Sequence, residues 1–192
     1  VETDLAQEFS PMNKSGHPIV TGLSNYVNSV AVGGRKGLPP GSMKAPWTNN
    51  VGSQTMLCTD CHNTDGAQAQ GPHGSAAQFM LRGPNSANWP DVDPANIGTA
   101  WCVNCHNPNT FIHNESKHFG ITRCYSCHIV IPHGGKVSRL IATRGNMPSR
   151  YAFNNDLNNV EMLEFIKASS YDGYGQCNTQ CGEHTASPGE SW

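Results

Sequence analysis

Cys58-Thr59-Asp60-Cys61-His62 sets a pattern that the chain repeats at Cys102-Val103-Asn104-Cys105-His106 and at Cys124-Tyr125-Ser126-Cys127-His128. In each copy two thiols stand three residues apart and an imidazole follows at once. That spacing is the attachment signature of c-type haem, and its residue types suit the chemistry. Two thiols add across the two vinyl groups of the porphyrin and become thioethers. The adjacent imidazole then lies under the ring as the first axial ligand of iron. Three copies predict three haems, held by Cys58, Cys61, Cys102, Cys105, Cys124 and Cys127, with His62, His106 and His128 as proximal ligands.

Zinc is the competing reading, because Cys102, Cys105, Cys124 and Cys127 also fit a four-thiolate structural site. It leaves the histidines unexplained. With 9 His in 192 residues, a His follows a given Cys by chance about one time in twenty, yet it does so after all three pairs. The last two cysteines differ: Cys177-Asn-Thr-Gln-Cys181-Gly-Glu-His184 has three residues between its thiols and no His directly after. A disulfide is preferred there, and a degenerate fourth haem site using His184 is the alternative.

Composition points the same way. Leu, Ile, Val and Phe together number 33 of 192, and Gly and Pro together number the same. So few large aliphatics bury little surface against the entropy of ordering the backbone. Disordered chains of low hydrophobicity usually carry high net charge, whereas this one stands at −2. Flat apolar macrocycles resolve the tension by forming most of the core, so the apoprotein is not expected to fold stably. The fold class expected is mostly coil with short α-helices and little β, organised around stacked haems.

Twelve Lys and Arg are scattered without a basic run, which gives no nucleic-acid footprint. No stretch has the length of an apolar membrane span. A chain starting at Val1 without Met fits a mature product whose export signal has been removed, and covalent haem with eight cysteines points outside the cytoplasm. One domain is expected over 1–192: an amino-terminal arm (1–57), an attachment core (58–134) and a carboxy-terminal helix and tail (135–192). Asn155 or Asp156 is positioned to cap that helix, with Leu157, Val160, Leu163 and Ile166 on one packing face and Lys167 near its end. The motif spacing shows no regular repeat.

Six histidines remain as sixth ligands: His17, His73, His113, His118, His133 and His184. Gly71-Pro72-His73-Gly74 and Ile131-Pro132-His133-Gly134 share a Pro-His-Gly core, in which Pro fixes the backbone and Gly allows close approach. His73 and His133 are therefore leading donors. His118 is preferred over His113, and His17 in Ser15-Gly16-His17-Pro18 is the fourth candidate, on an arm able to reach another subunit's haem. Four donors for three irons is one too many. Methionine ligation through Met12, Met43, Met56, Met80, Met147 or Met162 competes, but the surplus of His favours bis-His irons of low potential.

The stretch from Cys58 to Gly134 resembles the exported multihaem c-type cytochromes of metal-reducing bacteria and some archaea, most closely the small members that polymerise into extracellular filaments. The matching features are Cys58 to His62 followed by Asn63-Thr64-Asp65-Gly66, then Gly71-Pro72-His73-Gly74-Ser75. The second motif, Ser116-Lys117-His118-Phe119, and the third motif closed by Ile131-Pro132-His133-Gly134 complete it, with a weaker likeness at Ser15-Gly16-His17-Pro18. The resemblance implies haems stacked in alternating parallel and perpendicular pairs, a homo-oligomeric helical filament, and an axial His shared between subunits, with His17 the likeliest donor. It departs from the filament members in haem count, since those carry four or more.

Electron transfer without substrate chemistry is the expected function, exchanged with redox partner proteins or extracellular acceptors, and the chain is not expected to be an enzyme. The alternatives are a multihaem reductase for a small oxyanion or nitrogen compound, which needs an open iron position, and a monomeric periplasmic shuttle. A haem-gated sensor is a further reading without a signalling helix to support it. Two sequons, Asn13-Lys14-Ser15 and Asn114-Glu115-Ser116, are potential glycan acceptors.

Overall fold

Each attachment motif closes one turn on itself. In a computed structural model the peptide N–H of His62 donates to the Cys58 carbonyl at 2.8 Å, that of His128 to Cys124 at 2.9 Å and that of His106 to Cys102 at 3.1 Å. The model describes residues 4–20, 22, 38, 41–49, 55–65, 73–82, 89, 100–107, 124–145, 147–167 and 173–177. His113, His118, Cys181 and His184 lie outside the described residues, as does the sequon at Asn114, and Cys177 is described only as a backbone position. In a turn of this kind residues three and four apart share a face, so both sulfurs and the following imidazole emerge together.

In chain order the elements are α1 (Leu5–Glu8), β1 (Ser15–Gly16), α2 (Cys58–Cys61), α3 (Cys124–Cys127), β2 (Gly134–Gly135), β3 (Met162–Lys167) and β4 (Gly173–Cys177). Short 3-10 turns, including Trp101–Asn104 over the second motif, fill much of the remainder. None of the helical elements described exceeds one turn or so, as expected for a Gly- and Pro-rich chain. Strands β1 and β2 pair antiparallel, with Ser15 opposite Gly135 and Gly16 opposite Gly134. This joins the amino-terminal arm to the segment just after the third motif.

A repeat absent from the motif spacing appears in the hydrogen bonding. The residue after each proximal His donates its N–H to a carbonyl of a distant segment: Asn63 to Met80 at 2.8 Å, Asn107 to Ser42 at 2.8 Å, and Ile129 to Leu140 at 2.9 Å. In the second and third motifs a reciprocal bond completes the clamp, from Lys44 to Cys105 at 2.7 Å and from Ala142 to Cys127 at 2.8 Å. Single antiparallel bridges result, centred on Met43 with His106 and on Ile141 with His128. The clamping segment follows the motif in the first and third units but precedes it in the second.

Two of these clamps use a left-handed backbone pair. Phe79 and Met80 stand at φ 58° and 57°, Arg139 and Leu140 at 59° and 58°. Such residues cost about 1–2 kcal/mol each relative to their usual conformations. The conformation turns the Phe79 and Arg139 carbonyls toward the proximal imidazoles, and strain of this kind persists where surrounding contacts over-determine it. A third left-handed pair, Asn154 and Asn155, uses the residue type that tolerates it best.

Among the described residues one buried apolar cluster stands out. Ile129, Ala142, Ala152 and Val160 form it, with Leu140, Met147, Tyr151 and Leu157 packed alongside. Tyr125 of the third motif stacks on Phe153 at 4.3 Å between centroids, and Trp89 meets both rings edge-on.

The helix expected after Asp156 does not form. Leu157–Asn159 make a single 3-10 turn, capped by Asp156 Oδ1 accepting from the Asn158 N–H at 2.9 Å, and Met162–Lys167 are a strand paired antiparallel with Gly173–Cys177. The three-residue spacing of apolar residues misled: Val160 and Met162 are buried while Leu163 is exposed, which is the alternation of a strand. Val160, Phe165 and Ile166 also favour extended backbone. Among the described residues no helix is long and apolar enough to cross a membrane.

Candidate metal centres

The crossing of β1 and β2 carries two histidines from opposite parts of the chain to two attachment motifs. His17 follows β1, and His133 immediately precedes β2. The His133 ring stands 6.3 Å from that of His62, centroid to centroid and inclined by 60°, while His17 stands 6.1 Å from His106 at 62°. Each pair joins one proximal His to one histidine remote in sequence.

These separations fit a definite chemistry. Imidazoles bound on opposite sides of one iron, with metal–nitrogen bonds of about 2 Å and ring nitrogens about 1 Å from their centroids, stand about 6 Å apart. Direct ring packing would be closer, as Phe9 shows at 4.6 Å from His133. The residues therefore fit haem iron between His62 and His133, and again between His106 and His17. The motif cysteines are thiols, half-buried except for the exposed Cys58.

The remaining ring nitrogen is held as a metal ligand requires. The Nδ1–H of His62 donates to the Phe79 carbonyl at 2.8 Å, that of His128 to the Arg139 carbonyl at 3.0 Å, and that of His17 to the Pro132 carbonyl. The Nδ1–H of His133 donates to the Glu8 carboxylate at 2.7 Å. Carbonyls and carboxylates accept, so in all four rings Nδ1 is the donor and Nε2 is the nitrogen turned to a metal. The first and third motifs thus use the same device: a left-handed turn aims a carbonyl at the proximal ring.

Burial favours the neutral form at His106, His17 and His128. Burial pushes His106 down to about 3, with His17 and His128 adding to the effect. Burial also lowers His17, against the opposing bond to Pro132, and lowers His128, against bonds to the Arg139 and Leu140 backbone. Neutral imidazole is the form that binds metal. Burial pushes the Cys61 thiol up to about 12, with Cys105, Asp60 and Cys58 contributing, and Cys127 up to about 12, with Cys124 and Glu161 contributing. Cys105 acts on Cys61 and His128 on His106, so the second motif lies within electrostatic reach of both the first and the third.

Of the four expected distal donors, the structure brings two to a motif. His17 reaches His106 of its own chain, so its geometry is met without a neighbouring subunit. His73 is exposed and meets no imidazole among the described residues. Just after it, the Ala76 N–H and Ser75 Oγ (2.8 Å) both donate to the Asp65 carboxylate, and these bonds lower the Asp65 pKa. The two Pro-His-Gly glycines serve different ends. Gly74 takes φ +125° in open space, whereas a Cβ on Gly134 would run into the Glu8 carbonyl. No group of three or more His, Cys, Asp or Glu converges on a bare-metal site among the described residues, which include all four cysteines of the zinc reading.

Sequence reasoning missed Glu8, Ser15 and the accepting carbonyls. Ser15 Oγ donates to the Val137 carbonyl and accepts the Leu140 N–H at 2.8 Å, tying β1 to the third clamp. The parallel between Gln78-Phe79-Met80-Leu81 and Ser138-Arg139-Leu140-Ile141, each following a Pro-His-Gly, was a usable signal for the carbonyls. Nothing in the sequence marks Glu8. Comparison with family models, curated proteins and solved structures finds no match.

Proposed function

We propose that the chain is an exported trihaem c-type cytochrome whose irons carry single electrons and transform no substrate. The observation that carries this reading is the pairing of His62 with His133 and of His106 with His17, at 6.3 and 6.1 Å. Haem iron held by two imidazoles alternates between ferric and ferrous without an open coordination position.

The chain's own residues supply the rest. Each motif turn presents two thiols and one imidazole to the same side for attachment. Clamps at Met80, Ser42 and Leu140 hold the proximal histidines, so a change of iron charge meets a fixed ligand frame. Because His17 N–H donates to the His133 carbonyl at 3.1 Å and His17 Nδ1–H to the Pro132 carbonyl, both distal ligands sit on one hydrogen-bonded crossing. The contiguity of the motifs supports electron passage from one centre to the next. Assembly into a filament is part of the proposal, supported by the resemblance of residues 58–134 to filament-forming cytochromes; uniform monomers in electron micrographs of concentrated protein would remove that part.

Carbon monoxide tests the electron-transfer reading against the reductase reading. Reduced protein is expected to bind almost none, because the distal positions are filled by His17, His133 and a third donor. Stoichiometric binding to a haem of the native protein would indicate a vacant position and an enzyme.

A further inference from the structure

Three of the four described Nδ1 hydrogen bonds end on neutral backbone carbonyls, and one ends on a carboxylate. We infer that Glu8 is a positioning residue that lowers the reduction potential of the iron between His62 and His133. The inference rests on the haem reading given above.

The geometry sets Glu8 apart from a surface partner. Its side chain is 3 % exposed, and its two oxygens are separately engaged: Oε2 accepts from His133 Nδ1 at 2.7 Å and Oε1 from the Tyr151 hydroxyl at 3.0 Å. Phe9 covers the His133 ring on one side. The Glu8 backbone is fixed as well, since its N–H donates to Asp4 at 3.0 Å and its carbonyl accepts from Asn13 Nδ2 at 2.7 Å. Water therefore has little access to a bond whose acceptor carries negative charge.

A carboxylate draws the Nδ1 proton more strongly than a carbonyl does and leaves Nε2 the better donor. The richer ligand stabilises ferric over ferrous iron, so adding one electron there becomes harder. A buried negative charge near the iron acts in the same sense and is weakly screened by salt. At the other paired iron the distal ring, His17, donates to the neutral Pro132 carbonyl. The two distal rings, His133 and His17, thus differ in the group behind them, a carboxylate in one and a neutral carbonyl in the other.

The test is a spectroelectrochemical titration of the haem-loaded protein and two variants, with electron paramagnetic resonance of the ferric forms. Glu8→Gln keeps the shape but removes the charge; one of the three waves should move to higher potential, and one low-spin signal should change. Tyr151→Phe removes the hydroxyl that shares the carboxylate, so the same wave should move the opposite way. A merely structural role for Glu8 would not produce opposite shifts of one wave. Waves unmoved in both variants, or all three moving together, would overturn the inference. If Glu8→Gln does not load haem, the direction of the Tyr151→Phe shift decides. A wild-type protein without haem would instead refute the haem reading, before any wave is recorded.

Discussion

Replacing Gly134 with Ala should destabilise the crossing that places His17 and His133. The added Cβ would meet the Glu8 carbonyl, with Asn13 Nδ2 at 3.1 Å and the Ser15 carbonyl at 3.2 Å close behind. Two of these are backbone atoms. The third cannot swing away cheaply, because Asn13 Nδ2 donates to the Gln7 and Glu8 carbonyls at 2.9 and 2.7 Å. Overpacking of this kind costs about 1–3 kcal/mol. Slipping β2 away from β1 would relieve it, but would also stretch the bond from His17 to the His133 carbonyl, for a further loss of about 1 kcal/mol. Together these lower the ratio of folded to unfolded protein by roughly 30- to 1,000-fold. Chemical denaturation followed by circular dichroism would read the change. Gly145→Ala is the control, since its Cβ meets nothing within 4 Å and its φ is not left-handed; that change should be neutral or stabilise by about 0.4–1 kcal/mol. Equal stability of the two variants would refute the packing argument.

Further outcomes follow from the same contacts. His133→Ala and His17→Ala should each convert one haem of three to a form that binds carbon monoxide when reduced, with two such haems in the double variant. His73→Ala should leave both of those centres unchanged, and a loss of either pair's low-spin signal in that variant would contradict the pairing. Asp65 has its pKa lowered by the Ala76 N–H and then by the Ser75 hydroxyl. Its contribution to stability is therefore complete above the usual carboxylate range of about 4 and fades as pH falls through its own lower value. Acid titration of Asp65→Asn should show that segment of the pH dependence missing, and an unchanged profile would rule it out. If haem is bound as proposed, its removal should unfold the chain, because the buried apolar cluster among the described residues centres on Ile129, Ala142, Ala152 and Val160; a native far-ultraviolet spectrum in the apoprotein would disagree.

The local pattern was legible where chemistry fixes spacing. A thiol pair and an imidazole at this spacing share one turn, and the three turns were legible from Cys58, Cys102 and Cys124 onward, each closed by the N–H of its His. Pro132-His133-Gly134 also stood out in the sequence, and its ring lies 6.3 Å from that of His62, although its glycine makes room for the Glu8 carbonyl rather than for a ring. The partnership of each distal His was not legible, because it depends on which remote segments pair. Ser15 and Gly16 lie far in sequence from Gly134 and Gly135, and no periodicity announces a two-residue ladder. The clamps were hidden for the same reason: Phe79 lies 17 residues from its imidazole, Arg139 lies 11, and Gly41 beside the second clamp lies 66 from its Asn107 contact. The carboxy-terminal segment failed differently. Its apolar spacing fitted a helix on paper, but Val160 just before β3 and Met162 at its start are both buried, and β3 pairs with β4.

Intact mass spectrometry of the purified native protein tests the central claim most directly. Three haem increments above the polypeptide mass are predicted, with peptide fragments carrying them at Cys58–Cys61, Cys102–Cys105 and Cys124–Cys127. A mass equal to the bare chain, or increments located away from those pairs, would contradict it.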